Sequence, residues 1–425
     1  MDKAQRQYEE AVRAYRAGEL ERAWRIASGI EARAPRSFEP DRQAALWRLM
    51  GLIALAQQRP ERALPPLRRL SETKAADAPA HYLLGRALAL SGDRSAARRA
   101  FVAALEREPR LADAHLELAG SYLEEGQAEE AEAVLRRGLR ASSPNPALSC
   151  NLGLMLIERG EREEGMAHLA EASSDASGSP LIHLNAANGF KRCGENARAL
   201  AAYDRALALD PALSPAHHNR GNLLLDLGRT EEALAAYRRS ALLRRGSGAG
   251  QERDPKVFSH TTEAKLIHDL EQFAYLSAAG KPIANQAEII AAHEAALGAC
   301  RQAPSGGGAF ALPDALRRRL STSYNRILAL EEGAAIAGSA VNPEADWGAC
   351  ARAYAGGVGI AFLDGFLRAP ALEALRAFCL NSTIWSTYRY AKGYLGAFVE
   401  QGFACPLLAQ IATELAERLP GIFAA

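Results

Sequence analysis

Pro180–Leu213 reads PLIHLNAANGFKRCGENARALAAYDRALALDPAL, and Ser214–Arg245 continues SPAHHNRGNLLLDLGRTEEALAAYRRSALLRR. The two segments align without a gap. His183 falls on His217, Asn185 on Asn219, Asn188 on Asn222, Gly194 on Gly228 and Tyr203 on Tyr237. The same 34-residue step runs backwards through Gly160, Gly126 and Gly92. Five positions after each glycine stands a small residue, Ala97, Ala131, Gly165, Ala199 or Ala233. A third track carries Phe101, Leu135, Leu169, Tyr203 and Tyr237. A period of this length marks a solenoid of helix–turn–helix units. The glycine permits the tight turn, and the small residue lets the second helix approach the first. Apolar residues recur at helical spacing within each unit, as in Leu116, Ala119, Tyr122 and Leu123.

These units resemble the tetratricopeptide repeat. With Ala78 as position 1, Leu84, Gly85, Leu88, Ala97, Phe101, Ala104 and Pro109 match that family's pattern. Further units start at Ala112, Pro146, Pro180 and Ser214. A unit from Ala44 carries Trp47, Met50, Gly51 and Ala63, with Gln58 in place of the turn glycine. Another, from Ala4 to about Arg36, carries Gly18, Ala23 and Pro35. The expected fold is therefore mainly α. It consists of a solenoid of about seven tetratricopeptide units over residues 1–245, a helical cap or linker over 246–345, and a short incomplete α+β segment over 346–425. Arg220 at an apolar position and Gly165 for alanine depart from the pattern.

A chain of 425 residues exceeds one ordinary core. At 48% hydrophobic and 24% charged it has the composition of a folded chain. Its net charge of +1 gives no reason to expect nucleic acid or an anionic membrane as partner. The six cysteines are scattered and include no CxxC, against a disulfide framework or a zinc ribbon. No apolar run of 18 residues occurs, and the amino-terminal residues lack an apolar core, so the expected location is cytoplasmic.

After Arg245 the stretch GSGAGQERDP reads as a flexible joint. Thr261 or Thr262 is placed to cap a helix with the apolar stripe Leu266, Ile267, Leu270, Phe273 and Ala274. Further helices are expected over Gln286–Cys300 and Asp314–Leu330, around a loop at 303–309. All three are expected to cover the end of the solenoid. Beyond Gly356, strands are expected at 358–363, 385–390 and 394–399, and helices at 370–380 and 406–419.

Residues 362–367 (FLDGFL), 382–385 (STIW), 393–397 (GYLGA) and 402–408 (GFACPLL) together resemble the opening of a 2-oxoglutarate/iron(II)-dependent oxygenase domain. That resemblance implies a double-stranded β-helix further on, with Fe(II) and 2-oxoglutarate as cofactors. The iron site of such enzymes takes two histidines and a carboxylate. The last of the nine histidines is His293, and no HxD occurs. The family's ligands and its 2-oxoglutarate-binding arginine are expected beyond Ala425. No catalytic, cofactor or metal residue is assigned, and the sequence as given is not expected to catalyse. Phe362, Phe366, Trp385 and Tyr394 are expected to lack part of their cover.

Two readings compete for His81, His115, His183 and His217, which share repeat position 4. Helices pack about 8–10 Å apart, whereas ligands to one zinc approach it within about 2 Å, so packing is favoured over metal binding. Arg317-Arg318-Arg319 reads as a solvated face. His268-Asp269 with Glu271 lacks a nucleophile or an orienting partner for catalysis. Asn151, Asn185 and Asn219 share position 6, and Asn188 and Asn222 share position 9. An asparagine amide both donates and accepts, so such a ladder suits the backbone of an extended peptide, and Lys191 and Arg192 stand nearby to attract an acidic residue. It resembles the peptide-holding groove of glycosyltransferases that contain these repeats. Alternatively, the asparagines tie neighbouring helices together. The function expected is a protein-interaction scaffold binding a peptide or partner protein in the concave groove. The alternative is a 2-oxoglutarate oxygenase lacking its iron-binding half.

Overall fold

The computed structural model describes residues 3–33, 39–174, 178–246, 258–303, 309–357, 361–387 and 395–423. The chain is 71% helical, with 21 helices among the described residues. It forms two compact units, Met1–Ala199 and Leu200–Ala425.

Fourteen of those helices form seven successive pairs, the first Lys3–Arg16 with Leu20–Arg33 and the last Ser214–Asp226 with Thr230–Arg245. The last six pairs keep the 34-residue register, and the first is offset from it by six further residues. The turn inside each pair is closed in the same way. Gly160 adopts φ 94°, its N–H donates to the Ile157 carbonyl at 3.1 Å, and the Glu161 N–H donates to the Leu156 carbonyl at 2.9 Å. This is a Schellman cap, which needs a left-handed residue at its corner. Gly18, Gly92, Gly126, Gly194 and Gly228 repeat it. So does Gln58, at φ 57°, with Arg59 N–H donating to Ala54 O at 2.9 Å. The missing glycine of the second pair therefore leaves the turn unchanged and places a side chain in a strained conformation.

In the first unit the buried faces form apolar clusters. One joins Phe101, Leu118, Leu135, Leu148 and Leu152 across the third, fourth and fifth pairs. Gly85 explains why position 8 is small. A Cβ there would lie 2.5 Å from the Phe101 ring. The pair Pro146–Arg159 and Arg162–Ala172 approaches more closely still. A Cβ on Gly165 would lie 2.7 Å from the Gly153 carbonyl oxygen, and one on Gly153 would lie 2.8 Å from that of Gly165. The departure at Gly165 is therefore a requirement of that backbone contact.

In the second unit the last repeat pair is covered by segments much later in the chain. Leu224, Ala233, Leu234 and Tyr237 bury against Ala404 and Ala409. Ala241 buries with Ile327, Phe378, Ile384, Cys405 and Leu407. Residues after 380 thus supply much of the cover expected from the helices of 261–330. The helix Glu263–Ala278 forms as expected, with Thr262 accepting from the Lys265 N–H at 3.2 Å. The helix Gln286–Gln302 also forms.

The third expected helix is cut short. It spans only Asp314–Arg319, and further on Asn325 turns left-handed at φ 54° and the Ile327 N–H donates to the Arg245 carbonyl at 2.7 Å. A helical backbone through 327 would keep that N–H for its own ladder.

The expected strands at the carboxyl end also differ. Residues 361–363 are unpaired, and Phe362 is 91% exposed. From the other two, the described residues contribute a single bridge, Thr387 to Gly396. Of their described side chains, Trp385 and Ala397 are partly buried in the cluster that includes Ala371 and Phe378 of Ala369–Asn381 and Leu407 and Ile411 of Pro406–Arg418. The one two-stranded ladder among the described residues pairs His260–Thr261 with Phe310–Ala311. Tyr394, most of the joint after Arg245 and the centre of the 303–309 loop lie outside the described residues.

Candidate partner-binding surface

The asparagines at repeat positions 6 and 9 differ in their surroundings. In the first unit Asn151 is exposed on Pro146–Arg159, and its Nδ2 donates to the Ala147 carbonyl one turn back at 2.9 Å. One amide N–H and the amide oxygen remain. Asn185 and Asn188 lie half-buried on Pro180–Arg192, with Lys191 half-buried and Arg192 exposed. Arg192 Nη1 pairs with Glu158 Oε1 at 2.8 Å, joining consecutive first helices. Its charge is therefore already matched. In the second unit Asn219 and Asn222 are half-buried on Ser214–Asp226. Tyr237 Oη donates to Asn222 Oδ1 at 2.6 Å. That bond ties the two helices of one repeat, so position 9 there follows the alternative reading.

A hollow of about 310 Å³ lies in the first unit between the third and fourth repeats. Tyr82 of Ala78–Leu90, Phe101 of Arg94–Arg107 and Leu116 of Ala112–Leu123 give it apolar walls. Tyr82 and Phe101 meet with ring centroids 6.1 Å apart and planes tilted by 46°. A Cβ built on Gly120 would meet no atom within 4 Å. The hollow exists because position 9 has no side chain in this repeat, where its neighbours carry Arg86 and Leu154. Its rim bears Asp113, Glu117 and Glu124. Glu117 pairs with Arg86 at 3.7 Å and Glu124 with Arg94 at 3.0 Å. Ser121 Oγ is buried at the wall with no hydrogen-bond partner. The sequence expectations do not include this hollow. Its one signal in the sequence is Gly120, a glycine that lies off the turn register.

The position-4 histidines are packing residues. His115 and His183 are fully buried, and His81 nearly so. His115 Nε2 lies 3.0 Å from the Pro109 carbonyl, and His217 Nε2 lies 3.1 Å from that of Pro211, so each ring ties its helix to the preceding loop. Burial pushes the pKa of both rings down against the pull of those carbonyls, which keeps them neutral.

A second polar group is buried in the second unit. Lys265 Nζ sits against both carboxylate oxygens of Asp269, one turn along the same helix. His268 Nδ1 and His293 Nε2 each lie 3.7 Å from that carboxylate. Burial, the largest single influence, raises the Asp269 carboxyl, but Lys265 together with His268 and His293 outweighs it and holds the carboxyl below its usual range. Glu271 is exposed and takes no part. Two histidines and a carboxylate are the right types for iron, yet an ammonium occupies the carboxylate face a cation would need. These residues do not fit an iron site. Among the described residues no three His, Cys, Asp or Glu side chains gather to hold a metal.

Tetratricopeptide-repeat family models match residues 88–149 and 202–235. Those two stretches are tetratricopeptide repeats. No curated protein matches it. Solved structures similar to these repeats include a tetratricopeptide repeat protein from Parabacteroides merdae, at 16% identity and TM-score 0.46 over 59% of this chain and 94% of that one. Another is TTC0263, from Thermus thermophilus, at 24% identity and TM-score 0.37 over 43% and 99%. YrrB, a repeat protein with an unusual peptide-binding site, matches at 19% identity and TM-score 0.32 over 41% and 90%. The comparisons give the oxygenase resemblance of residues 346–425 no support. Among the described residues of this repeat protein, no helix is long and apolar enough to cross a membrane.

Proposed function

We propose that this repeat protein is an interaction scaffold whose first helices hold an extended segment of a partner protein. The observation that carries this reading is Asn151, exposed on a first helix with an acceptor and a donor left over. Such an amide can bond both the N–H and the C=O of a peptide unit. Asn185 and Asn219 repeat its position. Asn222 is set aside, because its oxygen already accepts from Tyr237.

The test is selection of random dodecapeptides on the immobilised full chain, followed by replacement of Asn151 and Asn185 together by alanine. Each backbone hydrogen bond contributes about 1 kcal/mol net. Losing two is expected to weaken a selected peptide by roughly 2 kcal/mol, or about thirtyfold, at an unchanged melting temperature. Failure to enrich any peptide, or a large fall in melting temperature in the double variant, overturns the reading.

A further inference from the structure

The hollow between the third and fourth repeats narrows the chemistry of the partner, an inference that rests on the scaffold reading. Its volume of about 310 Å³ stands at the small end of ligand pockets, which run from about 300 to 1,000 Å³. It is a site for one side chain rather than for a cofactor. The walls of Tyr82, Phe101 and Leu116 are apolar, while Ser121 Oγ lies among them without a hydrogen-bond partner. An aliphatic side chain would leave that oxygen unsatisfied, as it already is in the free chain, and gain nothing there. An indole N–H or a phenol O–H would satisfy it.

The rim adds a charge. Glu117 and Glu124 are neutralised by Arg86 and Arg94, but among the described residues Asp113 makes no ion pair. An acidic segment would be repelled there, and a basic one attracted. We infer that the hollow takes a tryptophan or tyrosine of the partner segment, with a neighbouring lysine or arginine of that segment against Asp113.

The peptides selected on the full chain test this directly. They are expected to carry an aromatic residue beside a basic one. Gly120→Leu fills the hollow and is expected to weaken them by at least about tenfold, or 1.4 kcal/mol, with the melting temperature unchanged. Asp113→Lys, on an exposed site that leaves the hollow intact, is expected to weaken them comparably. Changing the peptide's basic residue to glutamate is expected to restore binding to that variant. Selected peptides that lack the aromatic–basic pair, or that bind both variants as tightly as the parent chain, overturn the inference. If such peptides still lose affinity to the double asparagine variant, the scaffold reading survives without the pocket. If no peptide is enriched at all, both fail.

Discussion

Arg245, the last residue of the final repeat helix, donates from Nη1 to the Gln401 carbonyl at 2.8 Å, across 156 positions of sequence. The same guanidinium reaches the Asn325 carbonyl at 2.9 Å and the Ile384 carbonyl at 3.3 Å. Three separate stretches of the second unit therefore converge on one buried side chain. Burial pushes its pKa down to about 10, which leaves it charged at neutral pH. A planar fork with five donors suits such diverging acceptors, and an ammonium does not.

Arg245→Met keeps the apolar stem and leaves those carbonyls unpaired. Hydrogen bonds to a charged group contribute about 1.5–3 kcal/mol each, so a loss of about 3 kcal/mol is expected in the second unit. Arg245→Lys is expected to recover only part of it. Denaturant titration followed by the fluorescence of Trp385, which packs in the adjoining cluster, reads the effect. A midpoint unchanged in Arg245→Met would show that other contacts hold the unit together.

Gly165→Ala restores the residue the repeat pattern prefers, and is nevertheless expected to destabilise the first unit. The new Cβ meets the Gly153 carbonyl at 2.7 Å, a backbone atom that moves only with its helix. Overpacking of this kind costs typically about 1–3 kcal/mol. Thermal unfolding of the variant, compared with an alanine placed at the open position Gly120, separates a steric effect from a helix-propensity gain.

The carboxylate of Glu414 brings a pH dependence to the second unit. Its burial raises the pKa, but the Ser339 hydroxyl and the Val341 and Ala340 N–H groups donate to it and hold it at about 2. The folded value is depressed below the usual 4.5. The stabilisation is therefore complete above about 4.5 and fades as the pH falls toward 2. Glu414→Gln is expected to flatten the acid limb of the stability profile in that window and to leave the neutral limb parallel to the parent. An acid limb identical in both proteins would show that Glu414 does not set it.

Much of the repeat region was legible in the sequence because its determinants are local. Each turn is closed by bonds within six residues, and each needs a left-handed residue at one position, so the glycines print the period directly. Gly85 and Phe101 lie half a repeat apart, and their register follows from the same count. Thr262 capping its helix is equally local. Expectations failed where the partner is distant. The stretch expected to stay helical to Leu330 is not helical at Ile327, which bonds to Arg245. Of the expected strands after 380 the described residues form one bridge, while Trp385 and Ala397 pack in a cluster with distant helices. Nothing within a few residues of either segment reports those contacts.

The candidate surface divides along the same line. Equal spacing of Asn151, Asn185 and Asn219 is a fact of sequence, but which amide groups remain for a ligand depends on neighbours, and Tyr237 alone decides the state of Asn222. The hollow at Gly120 is likewise a product of packing, since a missing side chain leaves a cavity only where the surrounding helices do not close over it. Helix, turn and period were set by interactions along the chain, whose free energy depends on residues a few positions apart. The cover of the last repeat and the shape of the binding surface were set by contacts across the chain, where burial and complementary shape choose among segments that no periodicity links.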